Sequence, residues 1–316
     1  MPEIISVGEL IVDVMRMEVD QPLDEPGVFA GAFPSGAPAI FTDQCALLGR
    51  SAGFIGAVGN DDFGRMDIRR FEEHGVDTTY VAVVDEVSTG CAFVTYFSNG
   101  DRRFLFHIGN SAASNLPEPP PEWFEGCRWL HVCGSSLSAG QRMREGCYRA
   151  ATLAHQAGAS ISLDPNLRPE LLGGEQAVRE VCEPVLQLAS LVLPSASEAE
   201  VLTETSTAED ACQALLDRGV EIVALKRGAE GCAVITREGV VEVPGYPVEA
   251  VDPTGAGDCF DAGFVVGLAE GLTLEECGRL ANACGAAAAA VRGPMEGSLT
   301  REEAFARAAI GSEAPR

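Results

Sequence analysis

Short apolar runs alternate with longer amphipathic ones along this chain. The runs at 4–7, 53–58, 129–133, 160–163, 191–193 and 222–225 are dominated by apolar and small residues, as expected of strands covered on both faces. Between them, 38–48, 62–74, 139–157, 174–187 and 208–218 carry apolar residues at helical spacing. Alternation of strand and helix predicts an α/β fold, with a mostly parallel central sheet, helices on both faces and right-handed crossovers.

Two stretches break the pattern. Residues 80–108 contain strand-like runs at 80–84, 91–97 and 102–108, the last two flanking Asn99-Gly100, a hairpin signal. Residues 11–35 are extended in character and rich in Pro and Gly. Neither has a helix to cover it, so 11–35 and 80–110 are expected to form a small separate sheet inserted in the α/β body.

Composition narrows the partners. The chain has 316 residues, 46% of them hydrophobic, and 22 Lys+Arg against 47 Asp+Glu, a net charge of −25. Such a charge repels nucleic acid and anionic membrane, and it obliges any phosphate site to be built locally from amides, a few cations and a metal. Lys226 is the only lysine. Eleven scattered cysteines with no Cys-x-x-Cys pair, and four histidines without ligand spacing, fit neither a disulfide framework nor a structural zinc site. The N-terminus enters a strand with no leader pattern, and 283–291 is too short to span a bilayer. A cytoplasmic protein is expected.

The densest chemistry lies at 252–258, Asp-Pro-Thr-Gly-Ala-Gly-Asp, followed by Cys-Phe-Asp-Ala-Gly-Phe. Its glycines leave backbone N–H groups free at a helix start, which adds unpaired donors and a partial positive charge. Asp258 sits beside that anion site. A base next to donors for developing negative charge suits a hydroxyl that loses its proton while attacking a phosphate. A Gly-rich helix cap would be the inert alternative. A P-loop is excluded because no Gly-Lys pair exists, and a dinucleotide fingerprint would need Gly where Phe260 stands.

This signature resembles that of the ribokinase-like, or PfkB-type, carbohydrate kinases, nearest the tagatose kinase, fructokinase and 2-keto-3-deoxygluconate kinase branch, and the likeness extends along the whole chain, 1–316. The segment 49–64 is similar to the family's other signature and reads as tight turns. The resemblance implies a three-layer α/β/α fold with a small β-sheet lid over the sugar, the lid also serving as a homodimer contact. It implies ATP and Mg²⁺ as cofactors and a sugar as acceptor.

Site residues follow from the same likeness. Asp258 would be the base and Gly255, Ala256 and Gly257 the anion hole. Asp13, Gly36 and His107 would meet the sugar. Asn166 and Arg168, in an Asp-x-Asn-x-Arg motif, would meet magnesium-bound or free phosphate oxygens; an Asx turn is the inert alternative. Glu198 would act on magnesium through water and Ser195 would lie on the ATP side, or the two would simply cap a helix. Lys226, Gly228 and Gly231 resemble the nucleotide loop, and Asn282 would wall the adenine. Asp252 resembles a ligand of the family's potassium site, an ion several relatives lack. Three positions depart from pattern: Ile40 and Ser195 each stand where an Asn is usual, and Ile108 where sugar-acid kinases carry Arg. An uncharged Ile108 does not neutralise a carboxylate, so a neutral ketohexose is expected, tagatose first and fructose second. A sugar-acid kinase, a nucleoside kinase and a non-catalytic sugar- or nucleotide-binding relative remain the alternatives.

Overall fold

The computed structural model describes residues 1–100 and 102–311. Thirteen strands are found among them: β1 (Ile4–Val7), β2 (Ile11–Arg16), β3 (Phe29–Ser35), β4 (Ala52–Gly59), β5 (Asp77–Val84), β6 (Gly90–Tyr96), β7 (Arg102–His107), β8 (Trp129–Cys133), β9 (Ser160–Asp164), β10 (Ala189–Val192), β11 (Ile222–Lys226), β12 (Gly231–Thr236) and β13 (Gly239–Pro244).

Nine of them form one sheet in the order β13-β12-β11-β10-β9-β8-β1-β4-β5. Every pairing from β11 to β5 is parallel, and only the β11-β12-β13 end is antiparallel. All eight residues of β4 are buried, which is why its sequence is apolar without alternation. One apolar cluster fills one face, under the helices Gln141–Gln156, Glu175–Leu186 and Ala208–Asp217. A second fills the other, under Ala37–Leu47, Ala256–Glu270 and Leu274–Ala289. The result is a three-layer α/β/α fold. No helix among the described residues is long and apolar enough to cross a membrane.

The chain starts at β1 in the middle of the sheet, with β4 on one side and β8 on the other. Crossovers leave β1 and β8 in opposite directions, which opens a crevice at the carboxyl ends of the strands. The ends of β1, β8, β9 and β11 deliver Glu9, Ser135, Asp164 and Lys226 into it.

The second sheet has the order β3-β2-β6-β7. The Asn99-Gly100 turn joins the antiparallel pair β6 and β7, while β2 pairs parallel with β6. One expectation is corrected here. Residues 80–84 do not belong to the small sheet; they lie in β5, which pairs parallel with β4 at the edge of the large one. Edge position leaves the strand half-exposed, so its alternating pattern resembles that of the lid.

Candidate active site

Two cavities meet at the start of the helix Ala256–Glu270. One, of about 410 Å³, is lined by Glu9, Asp13, Ile40, Arg102, Phe104, Phe106, Asn166, Arg168, Glu198 and Asp258, among others. The other, of about 380 Å³, is mostly apolar and is lined by Ala229, Tyr246, Val248, Phe260, Asn282 and Ala286, among others. Lys226, Gly228, Pro253, Ala256 and Gly257 border both.

The junction is shaped by backbone. Gly255 caps the helix in the left-handed region (φ 82) with no side-chain cap, and a Cβ there would lie 2.4 Å from the Pro294 carbonyl oxygen. Glycine is required on both counts. At a helix start the amides of Gly255, Gly257 and Asp258 find no acceptor in a preceding turn. Ala256 differs from its expected role, since its N–H already donates to the Pro253 carbonyl at 3.3 Å. The free donors are therefore fewer than the sequence implied.

Asp258 is 7% exposed. Burial pushes its pKa up to about 7, Asp164 adds to the rise, and Lys226 and Arg168 oppose it. That value suits a general base at neutral pH. Asn166 holds a left-handed backbone (φ 34), which Asn tolerates better than most residues. Its amide stands 3.5 Å from Asp258 Oδ1 and 3.5 Å from Asp164 Oδ2.

Lys226 borders both cavities with its charge already engaged. Its Nζ lies 3.1 Å from Asp164 Oδ1 and 3.2 and 3.3 Å from the two oxygens of Asp261. Its charge is balanced within the protein rather than offered freely to a nucleotide. Asp164 is held below its usual pKa mainly by Lys226 against the cost of burial, whereas burial drives Asp261 well up.

The acceptor side is built from β1, β2 and the lid. Asp13, on β2, is 3% exposed and lines the larger cavity. Burial pushes its pKa up to about 7 against the Ser35 hydroxyl. Gly36 (φ 109) presses its backbone on Glu9, where a Cβ would fall 2.3 Å from the carbonyl oxygen. The Glu9 carboxylate accepts from the hydroxyls of Ser135, at 2.7 Å, and Ser136. Ile40 lines the same wall with no polar atom to offer.

His107 is a correction. Residues alternate faces along a strand, and β7 turns Arg102, Phe104 and Phe106 to the cavity. His107 therefore lies on the opposite, exposed face, edge-on to Phe93 at 6.0 Å. Arg102 is the residue the motifs missed. It and Arg168 flank the Phe104 ring, with guanidinium carbons 5.8 and 5.6 Å from the centroid. The signal was present in the Arg-x-Phe-x-Phe alternation after Asn99-Gly100.

Ser195, Glu198 and Asn282 line the cavities and also make structural contacts. Ser195 and Glu198 form a capping box, and Glu198 also accepts from the Leu167 N–H at 3.2 Å, which ties down the loop bearing Asn166. Asn282 spends its amide on the carbonyls of Val243 and Pro244, both at 3.1 Å, so it shapes the apolar cavity through β13. Gly228 and Gly231 bring the β11–β12 turn against that cavity. Asp252 accepts from Tyr96, Thr254 and Gly293, which occupies three of the roughly four acceptor positions of a carboxylate. Cys133, Asp164 and Asp258 place donor atoms within 4.8 Å of one another. A thiol and a carboxylate already paired to lysine do not fit magnesium, which takes oxygen ligands.

A carboxylate at pKa about 7 beside helix-start amides, next to an apolar cavity of nucleotide size, is a phosphoryl-transfer arrangement. The family model for pfkB family carbohydrate kinases matches residues 1–301. The chain belongs to the PfkB family of carbohydrate kinases. It is thus a phosphotransferase with a sugar-type acceptor, and the matched stretch contains both cavities. It is 34% identical to a fructokinase of Escherichia coli over 94% of this chain and 96% of that one. It is 33% identical to a 2-dehydro-3-deoxygluconokinase of Bacillus subtilis over 85% and 84%. Among solved structures it resembles a protein from E. coli provisionally named ribokinase II, in complex with ATP and Mg²⁺ (TM-score 0.90, 39% identity, 97% of this chain and 99% of that one). It also resembles fructokinase from Vibrio cholerae in its fructose-, ADP- and calcium-bound form (TM-score 0.80, 27% identity, 96% and 98%).

Proposed function

We propose that this chain transfers the γ-phosphate of ATP to a primary hydroxyl of a neutral ketohexose of the fructose or tagatose type. The observation that carries the reading is Asp258, buried at the amide-lined helix start between an apolar cavity and one lined by Asp13 and Glu9. Adenosine takes the apolar cavity, the sugar takes the other, and the phosphoryl group crosses at Gly255–Asp258. Asp258 accepts the hydroxyl proton as the oxygen attacks phosphorus, and Asp13 accepts hydrogen bonds from other hydroxyls. Fructokinases among the relatives support a hexose.

Asn166 and Glu198 offer hard oxygen donors on the phosphate side of the cavity. They would hold magnesium through water, and the ion would neutralise phosphate charge. Potassium stays a proposal resting on Asp252. Eleven unpaired cysteines, ten of them buried, support a reducing cytoplasmic setting. The outer face of the lid, with Phe93 and the exposed Leu105, supports a homodimer through that sheet.

A second reading is a 2-keto-3-deoxy sugar acid as acceptor. Arg102 favours it, because with Arg168 it brings two guanidiniums to a cavity where Ile108 offered none. The deciding measurement is kcat/KM for fructose, tagatose and 2-keto-3-deoxygluconate side by side. A tenfold or larger preference for the acid replaces the neutral-ketose reading and leaves the kinase intact.

A further inference from the structure

The lid grips the anion-hole loop through two side chains, Tyr96 and Arg102. Tyr96 and Arg102 are cross-strand partners at the turn end of β6 and β7, so both project toward the loop. The Tyr96 hydroxyl donates to Asp252 Oδ1 at 3.0 Å. Arg102 Nη1 donates to Thr254 Oγ1 at 3.4 Å. Residues 252 and 254 immediately precede Gly255.

Asp252 makes this contact consequential. It is 1% exposed. Its Oδ1 also accepts from the Thr254 N–H at 3.0 Å, and its Oδ2 from the Gly293 N–H at 3.2 Å. The next residue, Pro294, is the one whose carbonyl backs onto Gly255. One carboxylate thus joins a lid strand, the entry to the anion hole and the segment behind it. Burial, then the Asp252 charge, pushes the Tyr96 pKa up, so the phenol remains a donor at any working pH.

We propose that Tyr96 is a positioning residue for phosphoryl transfer, which by donating to Asp252 latches the anion-hole loop to the lid. The free amides of Gly255, Gly257 and Asp258 hold their working arrangement while this hydrogen bond is made. A lid freed from Asp252 opens more often and admits water to the transferred phosphoryl group. The latch rests on the kinase reading for its consequence, and on the hydrogen bonds alone for its existence.

Tyr96→Phe in the full chain removes one hydroxyl and keeps the ring. Amide exchange over 252–257 in the unliganded protein is expected to quicken about tenfold or more, with the melting temperature within about 2 °C of wild type. With fructose and magnesium-ATP, kcat is expected to fall about tenfold at unchanged KM for ATP, the scale of one hydrogen bond to a charged group. ADP released per sugar phosphate should rise above one. Unchanged exchange over 252–257 overturns the latch. Faster exchange with wild-type kcat and one-to-one stoichiometry overturns the positioning role. If wild type phosphorylates no sugar of the panel, the function reading falls and the exchange data still judge the latch. Should Tyr96→Phe not fold, Arg102→Gln probes the parallel contact by the same readouts, with a smaller change in the same direction expected and no change overturning the proposal.

Discussion

Lys226 Nζ lies 3.1 Å from Asp164 Oδ1, beneath the helix start that carries Asp258. Asp164 is buried and Lys226 largely so, with side chains 3% and 15% exposed, and Asp261 completes the group at 3.2 Å. Lys226→Met leaves two buried carboxylates without their cation, which costs roughly 3–5 kcal/mol of stability. It also removes a charge that holds the Asp258 pKa down. The acid limb of the pH–rate profile is therefore expected to move to higher pH in any folded variant. A wild-type melting temperature and an unmoved limb would show that Lys226 is electrostatically idle.

Asp258→Asn is expected to retain the fold and ATP binding and to lose roughly 10²–10⁴-fold in kcat, the scale for a positioned base. Turnover near wild type would remove Asp258 from the chemistry. In wild type, kcat/KM should rise with pH through about 7, because the base acts only when deprotonated and burial holds its pKa there. A profile flat from pH 5.5 to 8 would contradict this assignment.

Arg168 donates to the Leu167 carbonyl at 3.0 Å, lies against Phe104 and lines the larger cavity. Arg168→Ala is expected to cost roughly 10–100-fold in kcat/KM for ATP, the scale of a charge-assisted hydrogen bond. Kinetics unchanged at all ATP concentrations would reduce it to a packing residue.

Asp67 occupies the buried stripe of the helix Asp62–His74, between Gly64 and Phe71. It is 0% exposed, and neither carboxylate oxygen has a hydrogen-bond partner. Burial, then Asp61 and Asp13, drives its pKa well above the usual value. The folded state keeps this proton while the unfolded chain releases it near pH 4, so the group costs stability increasingly as pH rises above that point. Asp67→Leu should stabilise the fold by roughly 1–3 kcal/mol, more at pH 8 than at pH 5, and raise the melting temperature accordingly. Calorimetry showing an equal or opposite change at the two pH values would refute this.

Local chemistry was legible in the chain itself. Asp252–Asp258 announces a helix start with free amides, Asn99-Gly100 announces a hairpin, and the alternation of apolar runs announces the parallel sheet, because each depends on residues adjacent in sequence. An edge strand such as β5 and a lid strand look alike in sequence until pairing with β4 is known. At His107, alternation fixes which residues share a face but not which face meets the cavity. The partners of Lys226 stand 62 residues before it and 35 after it, and the Tyr96 hydroxyl reaches across 156 residues to Asp252. Such meetings are decided by the order of strands in the sheet and the fold of the lid, since a charge or a hydroxyl carries no sequence mark of the group it will face once topology has brought distant segments together.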